Sequence, residues 1–100
     1  MAIDIKMPIA HPGTVVRELI LPPDMTIGEA AKRLGVSRQS LDALVNCRRA
    51  ITPEMAKRME LTFGGTARSL LAIQTRYDLA KVEARVSEFA EQLEPFEHKS

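Results

Sequence analysis

From residue 11 onward the apolar positions recur three and four apart, the period of a helix, and the polar residues between them are those that start and stop helices. Residues 1–10 carry no such period and are expected to form an extended arm. His11-Pro12-Gly13 opens a first helix to about Leu21, with Val15, Val16, Leu19 and Ile20 facing inward, and Pro22-Pro23 bars its continuation. Thr26 opens a second helix, where Thr26 and Glu29 form a reciprocal capping pair. Gly35 ends that helix, supplying a left-handed backbone. Ser37 caps a third helix that runs to about Asn46, and residues 47–51 form a loop. Thr52-Pro53-Glu54 starts a fourth, with Met55, Met59 and Leu61 turned to the core and Gly64-Gly65 as its stop. Thr66 caps a fifth, long helix reaching from Ala67 to Glu94, before Pro95. The pattern predicts an all-α protein of five helices, the last one long, and no strand.

Composition supports a helical core. The chain is 45% hydrophobic but only 4% aromatic, without tryptophan, so its interior is aliphatic. One hundred residues make one domain, or a domain with a tail. The single cysteine, Cys47, excludes an internal disulfide and fits a reducing cytosol. There is no apolar run of membrane-spanning length and no secretory signal pattern in the first ten residues. A cytoplasmic, nucleoid-associated protein is therefore expected.

The formal net charge is only +1, and its distribution says more. Between Lys32 and Arg49 five cations face one acid, Asp42, whereas residues 81–100 hold five acids and three cations. The basic cluster covers most of residues 27–46, where two helices meet at a tight turn, and the loop just after them. Ala31 is small at the crossing, Gly35 makes the corner, and Leu34, Val36, Leu41 and Leu44 lock the pair. That is the layout of a helix-turn-helix DNA reader.

The third helix is then left with Arg38, Gln39, Asp42 and Ala43 on its outer face. Arginine pairs with guanine and glutamine with adenine through two hydrogen bonds, and alanine leaves room for a thymine methyl. Arg38, Gln39 and Ala43 are thus the expected base readers. Thr26, Ser37, Ser40, Asn46, Arg48 and Arg49 flank them as candidate phosphate contacts. Thr26 and Ser37 also cap helices whether or not DNA is present. Asp42 either accepts from cytosine or pairs with Arg38 at the i, i+4 spacing.

Residues 27–46 resemble the Cro/C1-type (XRE) helix-turn-helix domains of phage repressors. His11-Pro12-Gly13 with Val16-Arg17-Glu18-Leu19 is similar to the opening of the HigA-type antitoxins. Asn46-Cys47-Arg48-Arg49-Ala50-Ile51-Thr52 resembles their loop after the recognition helix. Leu70-Leu71 and Gln74 with Tyr77-Asp78-Leu79 resemble their final helix. The likeness covers about residues 11–82. It implies a five-helix lambda-repressor-like domain over 11–78 and a C-terminal extension over 79–100. It also implies a bacterial antitoxin that binds operator DNA as a homodimer, represses its own operon and neutralises a HigB-like mRNA-cleaving toxin. Carried over by position, Arg38, Gln39 and Ala43 would face bases, and Thr26, Ser40, Asn46 and Arg48 phosphates. Cys47 and Ala50 stand where that family usually has glycine.

Leu79, Val82, Val86, Phe89 and Leu93 form a two-heptad seam on the last helix, an expected interface for a second copy or the toxin. Folding back onto the chain's own core is the alternative. An enzyme is not expected: His11 and His98 are the only histidines, and no zinc spacing, phosphate loop or nucleophile elbow occurs. His11 reads as a turn residue packing at a helix start, and no metal or cofactor is expected. The rival readings are a plain Cro/C1-type repressor without a toxin and a toxin-binding module that has lost DNA contact.

Overall fold

The computed structural model describes residues 9–97, and every regular element among them is helical. Most of the arm expected over residues 1–10 lies outside the described residues, as does the end of the tail with His98. The first helix, α1 (Pro12–Val15), continues as a π-helical stretch, Val16–Ile20. Then come α2 (Ile27–Leu34), α3 (Arg38–Val45), α4 (Pro53–Phe63), α5 (Ala67–Glu83) and a short α6 (Ser87–Ala90). None is long and apolar enough to cross a membrane.

Local chemistry explains where these elements begin. The side-chain oxygens of Thr26, Ser37, Thr52 and Thr66 each accept from the backbone N–H three residues on. Each satisfies a donor that the helix itself leaves unpaired. At α2 only half of the expected reciprocal pair forms. Thr26 Oγ1 accepts from Glu29 N at 3.1 Å, but the Glu29 carboxylate turns to Arg33, 3.3 Å away. An i, i+4 ion pair has displaced the second half of the box.

The core is formed by Val16, Leu21, Ala30, Ala31, Leu34, Leu41, Leu44, Val45, Ile51, Ala56, Met59, Ala67 and Leu70. Helix α3 lies against α1 and α2, α4 packs on α2 and α5, and α1 also meets α5.

Three expectations of the periodicity fail. Leu19 is 80% exposed rather than inward. The π-helical turn bonds Leu21 N to Val16 O, an i→i+5 step, so Leu21 follows Val16 into the core in place of Leu19. Leu61 is 77% exposed. It sits half a turn beyond Met59, and the inward stripe of α4 is instead Met55, Ala56, Met59 and Phe63. The fifth helix does not reach Glu94. It stops at Glu83, the chain turns through residues 84–86, and α6 ends at Ala90, well before Pro95.

Candidate nucleic-acid interface

Helices α2 and α3 meet through a corner that the backbone closes by itself. Gly35 takes φ 72° and ψ 30°, a left-handed conformation that glycine adopts at little cost. Val36 N then bonds Ala31 O at 3.0 Å and Gly35 N bonds Lys32 O at 3.2 Å, using carbonyls that the end of α2 would otherwise leave open. Ser37 begins α3 two residues later. Burying Leu41, Leu44 and Val45 fixes which side of α3 faces out.

That outer side carries the expected readers. Arg38 and Gln39 are exposed in the first turn of α3, and no hydrogen bond or ion pair engages either side chain among the described residues. Asp42 and Ala43, one turn on, are half-buried. Arg38 does not pair with Asp42, contrary to one sequence expectation. Arg48 does, with Nη2 3.1 Å from Asp42 Oδ2. The reason lies in the backbone. Cys47 adopts φ 61°, and Arg48 N bonds Ala43 O at 2.8 Å, so the chain doubles back over the end of α3. The left-handed geometry that glycine would take without strain is thus kept by a cysteine. Its Sγ lies 3.4 Å from Thr14 Oγ1.

The other flanking residues are partly joined to one another. Arg49 Nη1 donates to Ser40 Oγ at 3.2 Å, and Ser37 Oγ donates to the same oxygen at 2.9 Å. Asn46 Nδ2 donates to the Asp42 carbonyl at 2.9 Å. Thr26 stands exposed at the start of α2, on the preceding element. Ser37, Ser40, Asp42, Asn46, Arg48 and Arg49 therefore lie on α3, its N-cap and the loop that follows it.

Residues with no role expected at this corner hold the unit from behind. A Cβ built on Gly13 would strike the Leu44 carbonyl oxygen, so only glycine lets α1 approach the end of α3 this closely. Arg17 Nη1 donates to Val45 O at 3.2 Å, meeting the carbonyl end of α3 with positive charge. Arg58, paired with Glu54 at 2.8 Å, donates to Leu34 O at 2.9 Å and fixes the corner from α4. The buried Gln74 accepts from Ile51 N at 2.8 Å and donates to Asp78 Oδ1 at 2.9 Å, tying the loop to α5. The cue in the sequence is a long polar side chain on an otherwise inward face, as Gln74 is beside Leu70.

Distal to Gln74 no described residue is buried. The seam residues are distributed over α5 (Leu79, Val82), the turn (Val86), α6 (Phe89) and the segment after it (Leu93). Leu79, Val86 and Leu93 are exposed, while Val82 and Phe89 are half-buried. The seam does not fold into the core of its own chain.

Known proteins share this arrangement. A family model described as helix-turn-helix matches residues 16–70. Virulence-associated protein I of Dichelobacter nodosus is 40% identical over 79 residues, which cover 78% of this chain and 73% of that protein. An uncharacterized HTH-type transcriptional regulator of Escherichia coli K12, YbaQ, is 40% identical over 73 residues, 72% of this chain and 65% of that one. Among solved structures, the Pseudomonas aeruginosa antitoxin HigA with the higBA promoter superposes with a TM-score of 0.79 at 26% identity. The match covers 90% of this chain and 100% of that one.

Proposed function

This chain belongs to the helix-turn-helix family, of the XRE type, and from that membership we propose that it is an antitoxin that represses its own operon. It is a DNA-binding regulator with the fold of an antitoxin solved with promoter DNA. In the proposed complex α3 enters the major groove. Arg38 and Gln39 meet base edges and Ala43 lies against a thymine methyl. Thr26, Ser37, Ser40, Asn46, Arg48 and Arg49 hold the phosphates. The domain over 11–78 does the reading, and residues 79–100 form the partner-binding extension.

One observation carries this reading. Arg38 and Gln39 are exposed and unengaged at the start of a helix whose opposite side is locked into the core. A long cation and an amide without hydrogen-bond or ion-pair partners among the described residues are available to a ligand that supplies donors and acceptors in a groove.

The remaining elements follow from the extension. The exposed seam brings two copies together, placing two recognition helices roughly 34 Å apart on a near-palindromic operator. The same acidic extension offers a surface to a basic, HigB-like mRNA-cleaving toxin encoded beside this gene. A plain repressor without a toxin is the second reading, favoured by the transcriptional regulator among the relatives.

Mobility shift on duplexes tiled across the DNA upstream of the reading frame tests the proposal. The wild type shifts one duplex selectively. Arg38→Ala costs about 1–3 kcal/mol there and relaxes preference at one base pair. An equal loss on every duplex would remove Arg38 from base reading. Co-purification with the product of the adjacent reading frame separates antitoxin from plain repressor.

A further inference from the structure

Arg48 is already partnered in the free protein, and its partner is the one acid on the reading face. The guanidinium Nη2 lies 3.1 Å from Asp42 Oδ2, with both side chains about half exposed or more. The pair is held in register by the backbone: Cys47 at φ 61°, Arg48 N on Ala43 O, and Asn46 Nδ2 on Asp42 O. Arg49, the next cation, is held more weakly, by the neutral hydroxyl of Ser40. Arg38, one turn before Asp42, makes no hydrogen bond or ion pair among the described residues. The two loop cations therefore differ in what a phosphate must displace.

We infer that Asp42 sets specificity by holding Arg48 back from DNA and releasing it where its own carboxylate finds a cytosine amino group. This rests on the proposal that α3 is the reading helix. When Arg48 turns to a phosphate, Asp42 loses its counter-charge beside a polyanion. On an arbitrary duplex that loss is uncompensated, so binding is weakened everywhere by the same repulsive element. At a site with cytosine opposite Asp42, its N4 amino group donates to the freed carboxylate, and the loss is recovered. Asp42 thus lowers affinity for the many wrong sequences more than for the right one. Exposed ion pairs are weak enough to exchange in this way without a change of fold.

The test uses the full chain and two duplexes: the upstream fragment that the wild type shifts, and a shuffled duplex of the same length. Asp42→Asn should bind the shuffled duplex about threefold tighter per protomer. The log–log salt slope should steepen by about 0.9 per protomer, one phosphate contact. The gain on the upstream fragment should be smaller, so the ratio of the two affinities drops. Asp42→Ala must drop the ratio in the same direction, because alanine cannot read adenine as asparagine can. In an Arg48→Ala background the salt slope should no longer steepen on Asp42→Asn, although removing the bare carboxylate still raises affinity.

No gain on the shuffled duplex, or a slope that steepens as much without Arg48, overturns the restraint. An unchanged ratio overturns the role in specificity. If instead the wild type binds selectively but Arg38→Ala has no effect, it is the assignment of α3 that fails. Circular dichroism of each variant separates these results from unfolding.

Discussion

His11 is kept neutral by the bond its ring makes. Nδ1 accepts from Gly13 N at 2.8 Å, which a protonated Nδ1 cannot do, and the ring sits edge-on to Tyr77 with centroids 4.8 Å apart. Burial lowers its pKa below the ordinary 6.5. Nearby Asp78 raises it in part, and Lys81 lowers it again. The unfolded chain, whose histidine is unperturbed, therefore takes up the proton first as pH falls. Stability from this group is complete above 6.5 and is lost as pH falls from there through the folded value. The urea midpoint should drop as pH is lowered through this window, and His11→Asn, a cap that does not titrate, should flatten the drop. An equal drop in that variant would assign the effect to carboxylates. One of these is Glu60, whose pKa is lowered by the backbone N–H of Ala67 and by Lys57. Residue order shows that His11 stands at a helix start; it does not show that a ring nitrogen is the cap. The threonine and serine caps were readable because each acts on a donor three positions away.

Between helices, what matters is how closely backbones approach. Gly13 lets α1 touch the Leu44 carbonyl at the end of α3. Gly13→Ala should cost about 1–3 kcal/mol in urea unfolding, because overpacking forces the helices apart. It should also weaken binding to all duplexes alike by tilting α3. Gly28→Ala is the matched control. Its Cβ would meet nothing nearer than Thr26 Oγ1 at 4.0 Å, and alanine suits the first turn of α2. A Gly13→Ala variant as stable as the wild type would remove the contact from the account. The helix-turn-helix unit was legible because its signals are local: a cap, a glycine corner and an inward apolar set. Arg17, Arg58 and Gln74 were not, because each acts on a carbonyl or amide more than twenty residues away. Leu19 and the break after Glu83 were missed for a related reason. A π-turn shifts the helical period without a marker residue, and neither glycine nor proline stands at 84–86.

The described residues span 54 Å by 30 by 25 Å, because α5 and α6 run on past the last buried residue. A seam left open along that projection is where the proposed partner would sit. Leu79→Asp, at a position 53% exposed, should leave helical content and unfolding midpoint unchanged while shifting sedimentation toward the monomer or abolishing toxin capture. A collapse of helical content would return the seam to the core. The contacts made from behind by Gly13, Arg17 and Arg58 carry one more consequence. They act on main-chain carbonyls of the corner and of the end of α3, and none of them makes a hydrogen bond or ion pair with the side chains at positions 38, 39, 42 and 43 among the described residues. If α3 reads DNA as proposed, the letters it presents are exchangeable like type in a frame, and a new operator preference would be open to this protein through a few surface replacements that leave its architecture intact.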